Sequence, residues 1–382
     1  MIWGKTFVEL LVCTGFLCSA VAEEPVGARV ESIFSAVADG KSPGVAVLIR
    51  KNGGTLFQHG YGVRELRTGA RIDEHTDFRL ASVTKQFTAM TTMLLVRDGK
   101  LRYDESLTDL FPDFPAYGRS ITIRHLLTHT SGLPDYEDLM DEVGKKRGAT
   151  WTASHQIQDR EVLALLKQQV SGKFAPGTSW AYSNSGYVLL GLIDAEVSGE
   201  PFSQVLKERI FGPLHMSNTL AYVSGKNTVP ERAYGHEKDG NEFVETDQSP
   251  TSATLGDGGV YSNLLDLGKW DAALENHILL SESEMKAALT AVKLADGSEP
   301  HWPVAPGDDN LNPGAPVRYG FGWFLDPYEG RARMWHTGTT VGFRNAIERF
   351  TAERLTIIVL CNRSDLDANK LALQAAAMLR PQ

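Results

Sequence analysis

Cysteine is scarce and poorly distributed for crosslinking. The 382-residue chain has 3, with Cys13 and Cys18 close to the start and Cys361 close to the end. Basic residues are outnumbered, 38 Lys and Arg against 47 Asp and Glu, for a net charge of -9. That balance argues against a broad electrostatic grip on nucleic acid. No tandem repeat, low-complexity tract or long linker interrupts residues 26–380, and collagen and coiled coil are excluded. Long apolar runs are missing too. A spanning helix needs ~20 apolar residues, and the stretch Leu10–Ala22 is stopped upstream by Glu9.

What remains is ordinary globular composition, 42% hydrophobic and 22% charged. A chain of this size buries roughly 75% of the surface its unfolded form exposes, so a sizeable core is available. The beginning has another signature. Lys5 precedes the apolar stretch, which exits through Ala20-Val21-Ala22 into Glu23-Glu24-Pro25. A positive start, an apolar middle and a small-x-small exit predict a secretory signal peptide over residues 1–22. Bulky Leu17 ahead of Cys18 argues against a lipid-anchored cysteine. A single domain over 23–382 is expected, exported to the periplasm or the medium. Only Cys361 would stay in it, so no internal disulfide can form and stability must come from packing.

Val30, Ile33, Phe34 and Val37 recur with Val26 on one helical face. The run Gly44–Ile49 and a second around Leu56-Phe57 flank Asn52-Gly53, the strongest short hairpin signal. Toward the other end, Arg331–Trp335, Phe343–Phe350 and Leu355–Asn362 read as successive strands. A helix follows with Leu371, Ala375, Met378 and Leu379 on one side. Connections this short favour antiparallel neighbours. The expected fold is therefore α/β of the α+β type. One antiparallel sheet is built from both chain ends and flanked by helices, and a mostly helical lobe (Ser82–Val292) is inserted.

Three short motifs carry chemistry. Ser82-Val83-Thr84-Lys85 opens a helical run, and residues three apart share a helix face. A serine hydroxyl is a weak nucleophile until a base takes its proton. A buried lysine at a helix N-terminus has its ammonium form disfavoured and can serve as that base. By itself the tetrapeptide equally describes a capping serine and a solvated lysine. Tyr182-Ser183-Asn184 stands in a polar turn before an apolar helix and offers a phenol to shuttle a proton and an amide to hold a carbonyl. A core tyrosine with a capping asparagine fits as well. His336-Thr337-Gly338-Thr339 follows a strand-like run, where an edge can pair with a peptide-like substrate and Gly338 allows close approach. A plain strand end closing in a glycine turn has the same sequence.

In that order the three motifs resemble the penicillin-binding-protein-like serine hydrolases related to class C β-lactamases and D-Ala-D-Ala carboxypeptidases. Ile121–Leu133, Pro176-Gly177 and Gly258-Gly259 resemble the flanking stretches, and the likeness spans about residues 27–380. The resemblance implies a β-lactamase/transpeptidase-like fold and acyl transfer to Ser82, then to water, with no metal or organic cofactor. It implies that Lys85 helps deprotonate Ser82 and that Tyr182 relays a proton. It implies an oxyanion hole at the backbone N–H groups of Ser82 and Thr339, and substrate contacts from Asn184, His336, Thr337 and Gly338. Tyr-x-Asn points to the class C-like branch. His336 stands where class C β-lactamases have lysine, and a partly charged imidazole holds a carboxylate less firmly. Lactamase activity is thereby put in doubt, while acyl-enzyme chemistry is not.

Expected substrates are small molecules or peptides with an acyl group, cell-wall peptides among them. Carboxypeptidase, esterase, D-amino-acid amidase or aminopeptidase and weak β-lactamase all stay open. So does a penicillin- or peptide-binding sensor without turnover. Asp135–Ala153 and Asp296–Pro316 are read as substrate-selecting loops, Tyr261 and Trp335 as cleft residues, and the stretch from His236 to Asp239 as a solvated loop. Gly40–Gly44 matches G-x-S-x-G, but a helix precedes it, a strand follows, and Pro43 has no N–H for an oxyanion hole. The segment Gly40-Lys41-Ser42 also lacks the first glycine of a phosphate loop, since Ser35 occupies that position. His125 and His129 have metal-ligand spacing without an HExxH glutamate or an evident third ligand, so a structural or site-shaping role is expected.

Overall fold

A computed structural model describes Met1 and residues 26–37, 39–304 and 311–380. Residues 2–22 of the expected leader lie outside the described residues. No described helix is long and apolar enough to cross a membrane.

Helix α1 (Val26–Ser35) leads into strands β1 (Val45–Lys51) and β2 (Gly54–Tyr61). Asn52 and Gly53 join the strands with φ of 53° and 81°, the paired left-handed conformation that suits Asn-Gly and matches strand twist. Three further strands close the chain: β3 (Met334–Thr340), β4 (Phe343–Phe350) and β5 (Leu355–Cys361). They assemble as one antiparallel sheet in the order β2-β1-β5-β4-β3, with Val47 opposite Val359 and His336 opposite Ile347. The two chain ends therefore build one sheet, as expected. The first of the three late strands differs from the reading of Arg331–Trp335. It begins at Met334 and runs through the His-Thr-Gly motif, because ladder pairing with β4 continues to Thr340 opposite Phe343.

Strand side chains alternate between faces, and both faces are covered. Val45, Val47 and Ile49 join Val30 and Phe34 of α1, with Leu371 and Ala375 of the final helix α4 (Ala368–Met378). Ala46 and Leu48 face the other way, into the larger core with Leu94, Leu267 and Trp270. Each such Val, Leu or Phe contributes about 1.5–3 kcal/mol when fully buried.

Two helices inside the inserted lobe are central. α2 (Lys85–Arg97) is buried from Lys85 to Leu95, and α3 (Asn184–Ser198) from Asn184 to Asp194. Both are core helices, and the buried hydroxyls of α2 are hydrogen-bonded inside, Thr88 to the Gly256 carbonyl at 2.6 Å and Thr92 to Asp194 at 3.0 Å. α3 starts at the Ser183 cap, which accepts from the Gly186 N–H at 3.2 Å, and ends at Gly199 in the left-handed conformation. Three structures differ from expectation. Phe78–Arg79, Val260–Ser262 and Leu220–Ala221 form a small antiparallel sheet. His236–Asp239 pairs with Glu242–Glu245 as a hairpin, with His236 buried rather than in a solvated loop. Most of Asp135–Ala153 is the helix Tyr136–Arg147, capped by Asp135.

Candidate active site

Ser82 opens α2 through a short 3-10 turn, Ala81–Thr84. Ala81 takes a φ of 49°, a left-handed conformation that a residue with a Cβ adopts only under restraint. The restraint comes from neighbours that hold the turn on all sides. Leu80 N–H donates to the Val260 carbonyl at 2.8 Å, Val260 N–H donates to Thr84 Oγ1 at 3.2 Å, and Asn345 Nδ2 donates to the Arg79 carbonyl at 2.9 Å. β3 presses on the same turn. A Cβ on Gly338 would lie 2.0 Å from the Leu80 carbonyl oxygen. The expected close approach at Gly338 is thus made by the chain's own backbone.

Lys85 is fully buried at the foot of the cleft. Its Nζ lies 3.0 Å from Ser82 Oγ, 2.8 Å from Asn184 Oδ1 and 3.0 Å from the Asp257 carbonyl. The same Nζ stands 4.9 Å from the centre of the Tyr182 ring. Ser82, Tyr182, His336, Thr337 and Thr339 border one small cavity, and Ser82, Asn184 and Thr339 border a second, larger one. The structure therefore gathers all three motifs around one serine.

His336 is 2% exposed. Its Nδ1 lies 2.6 Å from the Thr337 carbonyl, which only accepts, so the ring proton is on Nδ1. Nε2 is then the acceptor for the Tyr319 O–H at 3.2 Å. Burial, with Lys85 nearby, lowers the imidazole from 6.5 to about 3. His336 is accordingly a neutral ring at physiological pH.

Sequence reasoning understated two residues. His129 brackets Tyr182 from both sides: its carbonyl accepts from Ala181 N–H at 3.0 Å and its Nδ1 from Ser183 N–H at 3.1 Å. Its ring lies 4.4 Å from the Tyr182 ring, centre to centre. Burial first, then Lys85 and His336, holds it well below the ordinary histidine range. It follows the helix Ile123–Leu127 at a φ of 59°, so His125 and His129 do not share a helix face. His125 instead closes a capping box with Thr122. Asp135 links its helix to the site, accepting from Asn184 N–H at 2.9 Å. Hydrogen bonds this distant in the chain leave no mark in spacing. Among the described residues no group of three or more His, Cys, Asp or Glu is arranged to hold a metal.

The expected cleft aromatics are corrected. Tyr261 and Trp335 are buried and border neither cavity at Ser82, whereas Trp302 and Phe324 do. Tyr261 is held in the small sheet opposite Leu220, and Trp335 Nε1 is turned to Asp326 Oδ1 at 2.7 Å. A further cavity of about 420 Å³ lies away from the serine, among Arg50, Asp271 and Arg349. Its charges satisfy one another, with Asp271 taking Arg50 at 2.9 Å, Arg349 at 2.8 Å and Thr356 at 2.7 Å. It holds none of the three motifs.

A family model described as Beta-lactamase matches residues 30–379. A penicillin-binding protein of Bacillus subtilis (strain 168) is 32% identical over 366 residues, 91% of this chain and 74% of that one. A D-aminopeptidase of Gluconobacter oxydans (strain 621H) is 28% identical over 341 residues, 88% of this chain and 59% of that protein. The octameric penicillin-binding protein homologue from Pyrococcus abyssi has the same fold, with a TM-score of 0.76 at 26% identity over 92% of this chain and 77% of that chain. The ordered motifs, the sheet built from both ends and a family match across nearly the whole length agree: this chain belongs to the beta-lactamase family of serine hydrolases.

Proposed function

We propose that the protein cleaves an amide or ester bond by two acyl transfers, first to Ser82 Oγ and then to water. The observation that carries this reading is the surroundings of Lys85 Nζ. Asn184 Oδ1 and the Asp257 carbonyl act only as acceptors there. A neutral amine gives them its two hydrogens and turns its lone pair to the Ser82 hydroxyl, 3.0 Å away. Lys85 then takes the Ser82 proton as Oγ bonds to the substrate carbonyl carbon. Tyr182, bordering the same small cavity as Ser82, passes a proton to the leaving nitrogen or oxygen as its bond to carbon breaks. Water adds to the acyl carbon in the second half, and a proton returns to Ser82 Oγ. The backbone N–H groups of Ser82 and Thr339 stabilise the oxyanion; one such donor typically contributes about 3 kcal/mol. Asn184 and Thr337 orient the substrate.

The neutral His336, its ring nitrogens taken by Thr337 and Tyr319, supplies shape without positive charge, which favours substrates whose leaving group carries no carboxylate. The family relationship to a penicillin-binding protein and a D-aminopeptidase supports amide or peptide substrates. Intact-protein mass spectrometry after a penicillin or an activated ester is expected to show one adduct, mapping to Ser82 and absent in Ser82→Ala. No adduct from any such reagent, or one that persists in Ser82→Ala, would sink the reading. Turnover separates an enzyme from a penicillin- or peptidoglycan-binding sensor, which would give a single burst. We further propose that residues 1–22 direct export. N-terminal sequencing of protein recovered outside the cytoplasm of a bacterial host is expected to begin at Glu23, and retention of Met1 would overturn this.

A further inference from the structure

The two cavities at Ser82 differ in size and chemistry. The one bordered by Tyr182 is about 50 Å³ and lined by Trp302, Phe324 and His336. The other is about 380 Å³ and lined by the carboxylates Glu137, Glu237 and Asp257. Tyr182 borders only the first. A leaving group that takes its proton from that phenol departs on the small side, so the acyl part of the substrate occupies the larger, acidic side.

Arg79 and Arg344 also line the acidic side; Arg79 and the Nη1 of Arg344 donate into the protein, and the Arg344 charge is met by Glu237. Arg79 binds Ser252 through its side-chain and main-chain oxygens, and Arg344 Nη1 donates to the carbonyls of Thr340 and Phe343 at 2.7 and 2.8 Å. Asp257 differs. It is 6% exposed, its Oδ2 accepts from the Tyr136 O–H at 3.1 Å, and its Oδ1 has no hydrogen-bond partner among the described residues. A buried carboxylate oxygen without a donor is costly and rare. Asp257 is also tied to the nucleophile, because Lys85 Nζ lies 3.0 Å from both its carbonyl and Ser82 Oγ. An α-ammonium is two bonds from the acyl carbon and enters the same compartment.

We propose that Asp257 determines specificity by receiving, on Oδ1, the ammonium group of substrates whose acyl part is an unblocked amino acid, an assignment that rests on Ser82 as acyl carrier and Tyr182 as proton relay. Glu137 adds a second negative charge to that wall. The substrate class is an amino-acid amide, an amino-acid ester or a peptide with a free N-terminus, in preference to its N-acylated counterpart.

The test compares kcat/KM for D- and L-alanine p-nitroanilide with the N-acetyl forms, and uses p-nitrophenyl acetate to report Ser82 chemistry without any amine. Wild type is expected to prefer a free amine over its N-acetyl form by about tenfold or more, the size of one buried charge-assisted hydrogen bond. Asp257→Asn is expected to bring that ratio close to one. A wild-type ratio at or below one overturns the proposal, and so does a ratio that Asp257→Asn leaves unchanged. Should that variant fail to fold, wild type alone decides. Rate on the free amine falls as pH rises through the amine's pKa, about 7.7–8.0 for an α-amino group, while the N-acetyl substrate shows no such fall. Lys85, Tyr136 and the buried Asp159, which face Asp257, act on both substrates alike and cancel in the comparison. Parallel pH profiles overturn the proposal. Loss of acetate turnover and of any Ser82 adduct would instead remove the acyl-enzyme reading and this one with it.

Discussion

In the proposed mechanism Lys85 is the residue on which the chemistry turns, because a fully buried amine has its partners chosen by the fold. Lys85→Met keeps most of the stem's volume and removes the lone pair. Acylation of Ser82 is expected to slow by ~10²–10⁴, the usual contribution of a positioned acid or base, with far-UV circular dichroism unchanged. Near-wild-type acylation, read by stopped flow, would assign the base elsewhere. His129 acts through Tyr182. His129→Phe retains a ring but removes the acceptor for Ser183 N–H, leaving a buried donor that costs about 1–3 kcal/mol in denaturant melts. His129→Asn, which tolerates the left-handed backbone and restores an acceptor, is expected to recover part of the loss. Equal stability in both variants would show that the bracket contributes nothing. His336 has a folded-state pKa of about 3, below its ordinary 6.5. As pH falls through 6.5, the unfolded chain takes up a proton that the fold refuses, so this residue lowers stability progressively from there toward pH 3. Relative to His336→Gln, wild type is therefore expected to lose about 1.4 kcal/mol per pH unit below that point. A pH-independent difference between the two would contradict the neutral assignment.

Among the elements, edge strand β3 and the turn carrying Ser82 form one unit. Their separation is set by Gly338, where a Cβ would lie 2.0 Å from the Leu80 carbonyl. Gly338→Ala must push the strand outward or tilt the turn. Backbone is in the way, and a flexible side-chain tip would have been easier to move. The expected cost is about 1–3 kcal/mol, as for other overpacked sites, together with loss of acylation because Ser82 and Thr339 no longer face one cavity. Calorimetry and the Ser82 adduct assay read the two effects separately. Full acylation in a folded variant would show that the strand has room to move.

At the scale of the whole molecule, the last strand holds the first. β5 lies between β1 and β4, pairing Val47 with Val359 and Ile358 with Ile347. A chain ending at Arg354 loses this central strand and α4 together, and uncovers the face formed by Val45, Val47 and Ile49. No cooperative unfolding transition and no Ser82 adduct are expected from it. A sigmoidal melt from this truncated chain would show that the two ends fold independently.

Local signals sufficed where the physics is local. Asn52-Gly53 specified its turn through backbone conformation. The apolar run Val45–Ile49 specified a strand by its continuity beside that turn, and the Leu371/Ala375 spacing specified a helix through period. The ordered Ser82/Lys85, Tyr182/Asn184 and His336–Thr339 motifs identified the family. Tertiary structure decided the rest. His129 reaches the Tyr182 segment across 54 residues, and Asp257 reaches Lys85 across 172. Neither distance leaves a periodic trace. Tyr261 and Trp335 were misread as cleft walls because adjacency to a motif says nothing about which way a side chain turns. The residue types and their order thus determined the reaction class. Only the folded chain decided that His336 is a neutral ring, that Gly338 makes room for backbone, and that one oxygen of the Asp257 carboxylate is left without a partner at a cavity Ser82 also borders, since burial and approach distance belong to packing.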